Sequence, residues 1–135
     1  MAPPVPIDQA AEAGQLADLF NSLSQALDDF RLDDHVPPIP TDQLARLKDE
    51  AQALEDRAHY FTAQAIGATL QSIQPDLANI KAVTAQAKAQ VGALNDVSKV
   101  ISIATSALSL GTAIAAGNPG SIAAAAKALA QTLAG

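Results

Sequence analysis

Apolar residues return every three or four positions along most of this chain, and that spacing leaves room for little besides helices. Leu16, Leu19, Phe20, Leu23, Leu27 and Phe30 make a first stripe. Leu44, Leu47, Ala51, Leu54, Ala58, Phe61, Ala65 and Ala68 make a second. Leu77, Ile80, Val83, Ala87, Val91, Leu94, Val97, Ile101, Ala104 and Leu108 make a third. Three-and-four spacing gathers side chains on one face of an α-helix, whereas a half-buried strand needs strict alternation. Composition agrees: 31 alanines stand against three Phe, one Tyr and no Trp, so the residues that favour strands are scarce. A β-sandwich is excluded on that ground. A disulfide-stapled miniprotein and a zinc finger are excluded because there is no cysteine.

Proline and glycine divide the stripes. Val36-Pro37-Pro38-Ile39-Pro40 cannot be helical and reads as a polyproline-like connector. Thr41 after it reads as the N-cap of a second helix, with Asp42 in its first turn. Pro75 suits the first turn of a helix and not its interior. The series Ile66, Leu70, Ile73, Leu77 and Ile80 keeps its phase across that proline, so a kinked continuous helix is the alternative. An unbroken helix from Asp42 to Ala116 would be about 110 Å long, more than a lone chain of this size can bury, which favours a hairpin near Ser72–Asp76. Gly92–Asp96 is a place to bend or break. Gly117-Asn118-Pro119-Gly120 is a turn, and Ser121 reads as the cap of a last short helix.

The expected fold is therefore all-α: one domain over residues 1–135, an antiparallel bundle of three long helices and one short C-terminal helix. The long helices are expected from about Asp8 to Asp34, Asp42 to Ile73 and Pro75 to Ala116, and the short one from about Ile122 to Leu133. A Pro-rich arm (residues 1–7) precedes them, and residues 100–134 form a helical hairpin that is uncharged apart from Lys127.

Fourteen acids against eight bases give a net charge of −6. The bases are scattered singly, so the clustered cations that displace phosphate counterions are missing, and nucleic acid is not an expected partner. An anionic membrane surface is disfavoured for the same reason. The opening Met1–Asp8 has no basic region and no apolar core, which leads to an expectation of no secretory signal and, by default, a cytoplasmic protein; leaderless export stays open.

One motif occurs twice, as Pro3-Pro-Val-Pro-Ile-Asp-Gln9 and again as Pro37-Pro-Ile-Pro-Thr-Asp-Gln43. Both copies lie directly before a helix start. The plain reading is a pre-set backbone that starts helices cheaply. The functional reading uses the Pro-x-x-Pro spacing of Pro3 with Pro6 and of Pro37 with Pro40, which suits an aromatic groove on a partner.

Reactive groups are few. Asp28, Asp29, Asp33, Asp34 and His35 crowd the end of the first helix, and carboxylates with an imidazole can hold a divalent ion. A solvated acidic patch beside Arg31 is the favoured reading. Asp56 and His59 have the carboxylate-x-x-His spacing of bundle metal sites, but the only other histidine, His35, follows Leu32 at that spacing, so no second pair exists. No metal, cofactor or catalytic residue is expected, and the chain is read as non-enzymatic.

The whole stretch from Val100 to Ala126 carries no charge and is flanked by Lys99 and Lys127. Within it Ala107, Gly111 and Ala115 form a small-x-x-x-small ridge that permits close helix approach. Soluble packing within the bundle is the favoured use, with membrane contact and self-association as alternatives. The arms are short for spanning, and Ser102, Thr105, Ser106, Ser109 and Thr112 interrupt the first of them. The function expected is a non-catalytic helical interaction or structural module acting through a protein partner or self-association, with Pro3, Pro6, Pro37, Pro40, Ala107, Gly111 and Ala115 as contact candidates. The alternative is a membrane-active or secreted protein using residues 100–134.

Overall fold

The computed structural model describes residues 7–135, and the expectations placed on Pro3 and Pro6 lie outside them. The described residues are all-α with no strand, in six helices: α1 (Gln9–Leu32), α2 (Thr41–Tyr60), α3 (Ala63–Ser72), α4 (Gln74–Ala93), α5 (Val97–Ala116) and α6 (Pro119–Ala134). The all-helical class stands. The count of three long helices and one short one does not, because the second and third predicted helices are each divided.

The second predicted helix stops at Tyr60. Phe61 leaves helical geometry (ψ 84°), and the Thr62 side chain accepts from Ala65 N at 3.2 Å to cap α3. A threonine hydroxyl can satisfy the orphan amides of a new helix start, so the break leaves them paired. Phe61 turns inward against Phe20, ring centroids 5.1 Å apart and edge to face. The break also rotates the buried face. Ile66, Gly67 and Leu70 are buried, while Ala65 and Ala68 of the predicted seam are exposed.

The third predicted helix breaks at Leu94–Asp96, within the Gly92–Asp96 stretch marked as weak. Asp96 accepts from Ser98 N at 3.0 Å and caps α5. Two predicted caps move. Pro40, with no side-chain bond, precedes α2, and Thr41 is the first helical residue. Asn118 caps α6 by accepting from Ser121 N at 3.2 Å, so that helix starts at Pro119. Proline suits a first helical position because its missing N–H would be unpaired there anyway.

Side-chain partners give the path of the chain. Ser24 pairs with Ala51 O, Phe20 with Phe61 and Gln71 with Ile7 N, so α2 and α3 together run antiparallel to α1. Lys81 then pairs with Glu12 and Gln15, so α4 turns back alongside α1. The reversal falls at Ile73, as the hairpin reading requires, yet α3 and α4 pack chiefly on α1 and little on each other. Thr105 meets Glu50, and Gly111 lies against Arg57, so α5 runs parallel to α2. Lys99 and Ser106 both reach Thr132, so α6 is antiparallel to α5. Successive arms thus alternate in direction, but the packed pairs α1–α4 and α2–α5 are parallel.

One core joins all six helices. Leu16, Phe20, Leu54, Ile80, Leu110 and Ile114 are among its fully buried side chains. At about 25 cal/mol per Å2, each such side chain contributes roughly 1.5–3 kcal/mol.

Candidate interaction surface

The connector between α1 and α2 is fastened by its own residues. Ile39 is buried and pins the segment to the core. The ring of His35 lies against Phe30, centroids 4.5 Å apart, and Nε2 donates to the Phe30 carbonyl. That bond satisfies one of the carbonyls that every helix end leaves without an internal partner. Asp33 Oδ1 accepts from Asp34 N at 2.9 Å. Proline at 37, 38 and 40 restricts the rest of the backbone; the Val36–Pro37 peptide is cis.

With Ile39 directed inward, its neighbours face out. Val36 is 98% exposed and Leu32, at the end of α1, 71%. Pro37, Pro38 and Pro40 are exposed beside them. A groove of about 430 Å3 separates this ridge from the α4–α5 loop. Asp34 and Asp96 line it, together with Val36, Pro37, Pro38 and Val97.

The predicted small-residue ridge lies elsewhere and inside. Ala107 and Gly111 are buried, and Ala115 is half-buried. Gly111 lets α5 come close to the Phe20 ring and to Arg57. The outward face of α5 is a line of hydroxyls, Ser98, Ser102, Thr105, Ser109 and Thr112, all exposed. The Ser and Thr residues of the uncharged hairpin therefore serve mostly as its wet side. Among the described residues, α5 alone is long and apolar enough to cross a membrane, and half of it is buried in the bundle.

The acidic residues at the end of α1, favoured as a solvated patch with a metal site as the alternative, are only partly brought together. Asp29, Asp33 and His35 line one groove of about 390 Å3 with Lys88, but among the described residues no three His, Cys, Asp or Glu side chains are grouped to hold an ion. His59 approaches Glu55 at 4.0 Å with both side chains largely exposed.

Sequence reasoning missed the one buried carboxylate among the described residues. Glu50 Oε1 accepts from Thr105 Oγ1 at 2.8 Å and Arg46 Nε at 3.2 Å, while its Oε2 is buried without a partner. The Arg46-x-x-x-Glu50 spacing was the only available signal, and it marks solvated helix pairs as often. Leu32 and Val36 were missed as well, since both lie beyond the first stripe.

No protein family matches the chain, no curated protein matches its sequence, and no solved structure matches its fold.

Proposed function

We propose that this chain is a non-catalytic helical interaction module and that its contact surface is the corner joining α1 to α2. One observation carries the reading: Leu32 and Val36, four residues apart in the chain, are both left in solvent, and the exposed Pro37, Pro38 and Pro40 follow on the same short segment. Large apolar side chains scattered singly need no explanation, whereas several exposed on one short segment supply the apolar area that a contact site uses. The segment bearing them is already ordered by Ile39 and His35, so a partner would lose little entropy in immobilising it. Pro37 and Pro40 keep their place among the contact residues. Ala107 and Gly111, being buried, act instead in holding the scaffold together.

The test is a photo-crosslinking amino acid placed at position 36, with a control at exposed Gln52, in the cells that make the protein. A discrete adduct at 36 and none at 52 is expected. Equal labelling at both, or none at 36, overturns the proposal.

A second reading, membrane contact through residues 100–134, has the length and apolarity of α5 in its favour. Its large apolar side chains face inward and its hydroxyls outward, so lipid contact requires the hairpin to leave the bundle. Leakage from dye-loaded liposomes at neutral or acidic pH would support that reading, and intact liposomes would remove it.

A further inference from the structure

We infer that the partner segment seated at this corner is cationic as well as apolar, an inference that rests on the contact surface proposed above. The groove behind the proline ridge has two carboxylates in its lining, Asp34 and Asp96, one imidazole, His35, whose Nε2 is turned to the Phe30 carbonyl, and no Lys or Arg. Neither carboxylate is neutralised by an ion pair among the described residues. Asp96 uses Oδ1 to cap α5, and the Asp34 side chain accepts no hydrogen bond among the described residues. The cations that could have served are committed or displaced. Arg31 pairs with Asp28 at 3.0 Å. Lys99, one turn beyond Asp96, donates to the carbonyls of Thr132 and Gly135 at the end of α6. Lys88 lines the adjoining groove, with Asp29 and Asp33.

The corner therefore combines exposed apolar side chains with two carboxylates that no lysine or arginine pairs, Asp96 being turned in part to the amides of α5. An acidic or neutral segment could cover Leu32 and Val36, but only a basic one also meets Asp34 and Asp96. Complementary charge of this kind raises the encounter rate and selects among partners, while the apolar contacts hold the complex. A segment with leucine-like side chains against Val36 and Leu32, and lysine or arginine opposite the groove, has the matching chemistry.

The probes are three short synthetic peptides that share one set of leucines and carry lysine, glutamine or glutamate between them. Each is titrated into the isotopically labelled full chain, and backbone amide shifts are followed. The lysine peptide is expected to shift residues 32–40 and 94–97 first and to bind about tenfold more tightly than the glutamine peptide, with the glutamate peptide weakest. The double variant Asp34→Asn/Asp96→Asn is expected to erase most of that preference, about three- to tenfold in affinity. Asparagine caps helices as well as aspartate does, so the variant keeps its α5 start. If lysine and glutamine peptides bind this corner equally, the charge inference falls and the contact surface survives. If the lysine peptide shifts other acidic faces and not this one, the charge inference falls. If no peptide shifts residues 32–40, both fall.

Discussion

The Phe20 ring occupies the space that a side chain at position 111 would need: a Cβ built on Gly111 meets Phe20 Cε2 at 2.7 Å. Phe20 cannot easily retreat, because it is fully buried and its ring also packs edge to face with Phe61. Gly111→Ala is therefore expected to destabilise the protein by about 1–3 kcal/mol, the range for forcing one carbon into a packed core. Gly14 is the control. A Cβ there meets nothing within 4 Å, and Gly14→Ala is expected to stabilise α1 by about 0.5–1 kcal/mol. Urea unfolding of both variants checks the pair, and equal shifts would refute the close approach.

Glu50 depends on Thr105 from the facing helix. Thr105→Val removes that donor and leaves a buried carboxylate with Arg46 alone, so a loss of about 1–3 kcal/mol is expected. Replacing both groups, Glu50→Met with Thr105→Val, is expected to recover most of the loss, because a buried charge replaced by a fitting apolar side chain no longer needs partners. Chemical denaturation of the single and double variants measures the recovery. A double variant less stable than Thr105→Val would refute it.

Helix starts and stops depend on single residues. Asp96→Ala and Asn118→Ala each remove a side-chain acceptor at a helix start and are expected to cost about 1 kcal/mol. Gly117 closes α5 at φ 80°, with its N–H on the carbonyls of Ala113 and Ile114. Gly117→Ala is expected to cost about 1–2 kcal/mol, because a Cβ disfavours left-handed backbone. Thermal unfolding followed by circular dichroism reads all three. No change in Gly117→Ala would remove the account of that turn.

The connector separates stability from contact. Ile39→Ala empties a buried position and is expected to cost about 2–5 kcal/mol. Val36→Ser and Leu32→Ser change exposed side chains and are expected to stay within about 0.5 kcal/mol of the parent. If Val36→Ser proves as destabilising as Ile39→Ala, the exposed ridge is a packing element and not a contact surface. Calorimetric melting of the three variants decides it.

The residues themselves determined what depends on the nearest turn of backbone. Leucine and alanine at three-and-four spacing made the chain helical, Pro37, Pro38 and Pro40 kept the connector out of helix, and Asn118-Pro119 with Gly117 set the last turn. Packing decided the rest. The spacing runs unbroken through Phe61, Ala65 and Ala68, yet the helix stops there and Ile66 and Leu70 take the buried face, because Phe61 is held against Phe20 from another helix. Gly111 looked the same in sequence whether it faced a partner or a neighbouring arm; the position of Phe20 placed it inside. Leu32 and Val36 stand in solvent, and Asp34 and Asp96, far apart in the chain, share a groove, only because α1, α2, α4 and α5 meet at one end. Backbone propensity acts over a turn or two, whereas burial depends on which distant segments arrive alongside, and no local pattern encodes that.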